Sequence, residues 1–159
     1  VICYAERDRR WLERLQIHLK PLQMQDLIDP WDNTRILPGQ LYRDEVERAL
    51  STARAVILLV SADLLASGSI IGNELPSILY RHEKAGAAVL PLILRPCLFR
   101  QSPLKEFQAF NSPPELPLTS LKRVEREALL VRVAETVANM LTPPRPRTRY
   151  SSDTIPPSV

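Results

Sequence analysis

Glycine is scarce in this chain: 4 of 159 residues, against 15 prolines. No GxGxxG and no Walker loop occurs, so nucleotide binding of the Rossmann dehydrogenase or P-loop kind is excluded. Cysteine is nearly as rare. Cys3 and Cys97 form no CxxC and have no histidine close by, which favours reduced thiols over a disulfide framework. His18 and His82 have no ligand-spaced companions, so no metal site is expected. No apolar run reaches about 18 residues and no signal peptide opens the chain, so a membrane partner is not expected and the cytoplasm is the expected location. The net charge of +3 is too small to argue for nucleic acid, and Arg145, Arg147 and Arg149 lie in a proline-rich tail. No internal repeat is found.

What remains is an ordinary globular composition, 45% hydrophobic and 25% charged. A chain of this length forms one domain that buries roughly two-thirds of its unfolded surface. It begins at Val1, already in strand-like sequence, as a piece of a longer protein would.

Periodicity predicts the elements. Residues 1–4 read as a short first strand, and Asp8 as the N-cap of a helix carrying Trp11, Leu12, Leu15 and Leu19 until Pro21 stops the pattern. A very short strand is expected at 26–29, then a loop dense in turn formers from Pro30 to Gln40. A helix resumes near Leu41, with Tyr42, Val46, Ala49 and Leu50 in a stripe. The near-continuous apolar run 55–60 is the signature of a buried parallel strand. Proline is tolerated in a first helical turn, so Pro76 predicts a helix with Asn73 as N-cap and Glu74 in the first turn, closed by Gly86. There the positive dipole end would favour ionised Glu74.

Another strand is expected at 88–94, at or near an edge or carrying a bulge, because Pro91 lacks a donor. A brief strand at 107–110 follows, then a last helix over 121–141 burying Leu121, Val124, Ala128, Val131 and Ala134. Short strands alternating with helices imply a flavodoxin-like, three-layer α/β fold with a short parallel five-stranded sheet over residues 1–141. Residues 142–159 read as a linker to a further domain. In such sheets ligands bind beyond the carboxyl ends of the strands, so Glu74, shortly past the strand 55–60, is a site candidate.

Four separated features together resemble the Toll/interleukin-1 receptor (TIR) domain, particularly its bacterial branch. Val1-Ile2-Cys3-Tyr4-Ala5 resembles the family's opening motif, with Cys3 where serine is usual. Ile36-Leu37-Pro38-Gly39 within 32–40 resembles its BB loop. Leu59-Val60-Ser61, with Leu64 and then Asn73-Glu74-Leu75, resembles the strand and helix that carry the family's catalytic glutamate. Phe107 to Phe110 stands near the third box, although the usual Phe-Trp is missing. Ile70 and Ile71 replace the aromatic–Cys pair of many active relatives.

The resemblance implies cleavage of NAD+ between ribose and nicotinamide, with NAD+ as substrate and no further cofactor. Nicotinamide departs neutral, so no general acid is needed, unlike in ordinary glycosidases. One carboxylate can stabilise the oxocarbenium-like ribose and hold its hydroxyls. Glu74 would be that carboxylate; the competing reading is a solvated first-turn acid. Tyr4 and Ala5 would line the pocket, with core packing the competing reading for Tyr4. Trp31 either stacks on a ring or anchors its loop. Arg35 either meets the diphosphate or is a solvated loop cation. Ser61 either bonds a ribose hydroxyl or caps the segment after the strand. The alternative function is a non-catalytic module that associates with other TIR domains through the 32–40 loop, and the two are compatible. A phospho-acceptor receiver is set aside, because the strand 55–60 ends in Ser61 and not in aspartate.

Overall fold

The computed structural model describes residues 1–111 and 116–143. Three strands form one parallel sheet in the order β1-β2-β3: β1 Ile2–Cys3, β2 Ala55–Val60 and β3 Ala88–Ile93. The helices are α1 Arg9–Met24, α2 Tyr42–Thr52, the single turn α3 Ala62–Leu65, α4 Leu75–Ala85 and α5 Arg123–Leu141.

Every side chain of β2 is buried, because helices cover both faces of the sheet. Its alternate residues divide between two cores. Ala55, Ile57 and Leu59 pack with Leu12, Leu15 and Leu19 of α1 and with Leu130 and Val133 of α5. Val56, Leu58 and Val60 pack with Val46 and Leu50 of α2 and with Leu75 and Ile78 of α4. Burying a leucine side chain contributes about 2 kcal/mol, so these two seams are the main attraction that holds the layers together. This is the three-layer, flavodoxin-like arrangement expected.

The sheet has three strands among the described residues, where five were expected. Residues 26–29 form no ladder; the chain touches β1 through a single bond, from Ile2 N–H to Trp31 O at 2.8 Å. Residues 107–110 form none either. On the outer side of β3, Phe110 N–H donates to Pro91 O at 2.9 Å. The buried Asn111 side chain then accepts from Ile93 N–H at 2.7 Å and donates to Ile93 O at 3.0 Å. An amide side chain thus takes the place of a fourth strand. Pro91 fits because its position in β3 faces away from β2, where the ladder needs no donor from it.

Three further expectations are corrected. Pro21 does not end α1, which runs on to Met24. The bond lost is the one Pro21 would give to Ile17 O, and both residues lie on the exposed face, where that carbonyl is open to solvent. In α5 the buried face is Leu129, Leu130, Val133, Ala134 and Val137, while Val124 and Val131 are exposed. Apolar residues surround that helix, so two phases were open and tertiary packing chose the second.

The third concerns Asn73. It is no N-cap: helical structure already begins near Gly68, where Ser67 Oγ accepts from Ile70 N–H at 3.3 Å. Residues Ile70–Glu74 form a wide π turn in which Leu75 N–H reaches Ile70 O, and α4 continues from it. Pro76 explains the widening, since it cannot donate to Gly72 O and its ring crowds that carbonyl. Gly86 closes α4 as expected, at φ +69° with its N–H on His82 O. The proposed linker lies outside the described residues from 144 onward. Among those described, no helix is long and apolar enough to cross a membrane.

Candidate functional site

Glu74 leaves the π turn half-buried and faces α2, at the carboxyl end of β1. The Tyr42 hydroxyl donates to Glu74 Oε1 at 3.2 Å, and the Cys3 thiol lies near enough to influence the same carboxylate. Burial raises the Glu74 pKa above the ordinary glutamate range, and Tyr42 and Cys3 oppose that rise without cancelling it. The expectation of a dipole-stabilised first-turn anion is therefore corrected: Glu74 sits inside a helical stretch, away from the free N–H groups of its start. Burial, with the carboxylate adding to it, pushes the Cys3 thiol far up, so Cys3 acts as a neutral donor and not as a nucleophile. Burial also raises the Tyr42 phenol, keeping its proton available to Glu74.

A cleft of about 300 Å³ opens beside this carboxylate. Tyr42, Arg43, Val46 and Glu47 of α2 form one wall; Ser69, Gly72, Asn73 and Ser77 flank Glu74 on the other. Arg43 is the cation of the cleft, paired to Glu47 at 3.3 Å.

The other sequence candidates separate. Tyr4 is buried, and its hydroxyl donates to Asn33 Oδ1 at 2.6 Å. Tyr4 is thereby engaged with the segment after Asp32 and not with Glu74. Ala5 packs on Leu64 and Ile70, behind the turn that carries Glu74. Trp31 lines a different cleft, with Val1 and Ala55 at the amino ends of β1 and β2. Arg35 is exposed and held by Asp29 Oδ1 at 2.9 Å and Pro30 O at 3.0 Å. Ser61 is fully buried, donates to Asp8 and caps α3 through Leu64 N–H.

Asp8 caps no helix with its side chain. It is wholly buried and takes Ser61 Oγ–H and the Arg95 guanidinium, so one carboxylate ties the segments after β1, β2 and β3. Tyr42 and Cys3 are the residues that sequence reasoning missed at Glu74. The available signal was Tyr42's place at the border of a Pro-Gly loop and a helix, where a polar-tipped aromatic can turn inward. Among the described residues no group of His, Cys, Asp or Glu is arranged to hold a metal ion.

The TIR domain family model covers residues 1–119, and the chain belongs to that family. It is 29% identical over 133 residues to an uncharacterized protein, y4lF, of Sinorhizobium fredii. That match takes in 82% of this chain and 40% of the relative, so the chain spans about two-fifths of the relative's length.

Proposed function

We propose that this TIR domain hydrolyses NAD+ at the nicotinamide–ribose bond, with Glu74 as the catalytic residue. The observation that carries the reading is the half-buried Glu74 carboxylate at the mouth of a cleft, held by Tyr42. The C–N bond breaks as its electron pair returns to the pyridine ring, and nicotinamide leaves neutral without an added proton. Positive charge then develops on the ribose, beside the carboxylate. Water adds to that carbon and loses a proton, giving ADP-ribose; attack by an adenine nitrogen of the same molecule would give a cyclic product. A carboxylate in a partly dry cleft stabilises the developing cation far better than one in bulk water. Arg43, on the cleft wall, is better placed than Arg35 to meet the diphosphate.

The test is nicotinamide release from NAD+ by the assembled protein, with Glu74→Ala as control. Turnover equal in the two would sink the reading.

A second reading rests on the 32–40 loop. Leu37 is 64% exposed and Leu41 68%, adjoining the half-exposed Tyr42. An apolar patch of this kind supports self-association with other TIR domains, with or without catalysis. Association lost in Leu37→Glu but kept in Glu74→Ala, with no turnover even in the assembled wild type, would favour a purely interacting module in signal transduction or defence.

A further inference from the structure

α2 and α4 run side by side in the same direction and are tied at both ends. At one end the Tyr42 hydroxyl reaches Glu74; at the other, Arg81 Nε donates to Ala53 O at 3.4 Å. Between these ties the groove does not stop at the Glu74 cleft. A second cleft of about 470 Å³ continues it, sharing Glu47, Leu50 and Ser77 with the first. It ends between Ser51 and Tyr80, whose ring is largely exposed. Glu74 and Arg81 lie about two helical turns apart, so the groove runs on for roughly 10 Å along α4. A dinucleotide with its nicotinamide ribose at Glu74 still has a diphosphate and an adenosine to place, and this groove is continuous space for them.

The order of charges along α2 matches the order of groups in such a molecule. Arg43 and Glu47 lie one turn apart and are joined by a single bond, Arg43 Nε to Glu47 Oε1 at 3.3 Å. That bond leaves the terminal nitrogens of Arg43 and the second oxygen of Glu47 for a ligand, and both side chains are mostly exposed. We propose that Glu47 is a specificity-determining residue, selecting a dinucleotide whose adenosine ribose has a free 2′-hydroxyl over one phosphorylated there, NAD+ over NADP+. This rests on NAD+ being the substrate at Glu74. The diphosphate, next to the nicotinamide ribose, meets Arg43. Glu47, one turn further from Glu74, accepts from the paired hydroxyls of the adenosine ribose, and Tyr80 offers its ring face to adenine. A 2′-phosphate sets a multiply charged anion against that carboxylate and puts an acceptor where a hydroxyl donates.

The test measures kcat/KM for NAD+ and for NADP+ with the assembled full chain, and calorimetric binding of ADP-ribose and of its 2′-phosphate. Wild type is compared with Glu47→Gln, Glu47→Arg and Arg43→Gln. Wild type should favour NAD+ by about tenfold or more; Glu47→Gln should cut that preference several-fold, mainly through KM, and Glu47→Arg should reverse it. Arg43→Gln should weaken both substrates by a similar factor and keep the preference, because both carry the diphosphate. A wild type that takes both equally, or a preference unchanged in the two Glu47 variants, would overturn the role of Glu47 and leave NAD+ cleavage standing. Without turnover, ADP-ribose bound in preference to its 2′-phosphate by wild type but not by Glu47→Gln would support the groove and overturn cleavage instead. Neither turnover nor binding would overturn both.

Discussion

Tyr42 and Glu74 come from different helical segments, 32 residues apart, and meet at 3.2 Å across the cleft between α2 and the π turn before α4. The bond holds the carboxylate in partial burial, a costly place for a charge. Glu74→Gln keeps the shape and removes that charge. It should abolish turnover, by about a hundredfold or more, and raise Tm at pH 7 by about 2 °C. A variant that keeps turnover and melts lower would show that Glu74 is there for structure.

The sign of the pH effect comes from the raised Glu74 pKa, whose largest cause is burial. In the proposed reaction the anion is the reactive form, so turnover should fall as pH drops through an inflection above the usual glutamate range. Stability runs the other way. A raised carboxyl favours the fold while protonated, and that contribution is lost as pH rises through the folded-state pKa. The Tm advantage of Glu74→Gln should accordingly be absent in acid and grow toward neutrality. Thermal melts across that range check it, and an advantage that shrinks toward neutral pH would contradict it.

Glu127 behaves oppositely. On α5, it receives Arg14 of α1 through Nε at 2.9 Å and through a second nitrogen at 2.8 Å, and His18 Nε2 lies at 2.7 Å. The Arg14 bonds chiefly hold its pKa down at about 2. Its contribution is present above the unfolded value and lost as pH falls from near 4.5 toward 2. Glu127→Gln should lower Tm modestly at neutral pH, since the pair is largely solvated, and the difference should close in acid. A difference that persists at pH 2 would refute this.

Asp8→Ala leaves the buried Ser61 hydroxyl without its acceptor and the Arg95 guanidinium with only its longer pair to Asp63, at 3.8 Å. Urea unfolding should show a loss of about 2 kcal/mol or more. Wild-type stability in this variant would show that the three segments are held by packing alone.

The layers are legible in the sequence because their physics is local. The run 55–60 is apolar throughout because both faces of β2 are covered, and Gly86 ends α4 because its left-handed backbone favours glycine. The outer strands are not: residues 26–29 have strand-like sequence but make no backbone bond to the sheet, which that stretch of chain reaches only at Trp31, and 107–110 meet it through one bond, from Phe110. Glu74 stands out by its place past β2, yet its environment does not. Pro76 reads as a helix start and is instead the reason for a π turn, a choice that depends on Ser67 capping an earlier start. The partnership with Tyr42 and Cys3 joins residues far apart in the chain, and no short-range pattern announces it.

Asn111 has a consequence for how copies of this domain meet. The outward side of β3 offers Val89, Pro91 and Ile93 in turn. Pro91 has no N–H to give and its carbonyl is taken by Phe110, while both backbone groups of Ile93 are taken by the Asn111 amide. An incoming strand would find one usable rung at most, so this edge is closed to strand addition and to the edge-to-edge aggregation it invites. Ordered assembly, if it is to stay reversible, is thereby steered to loops and helix faces, where contacts can be made and released without unzipping a sheet.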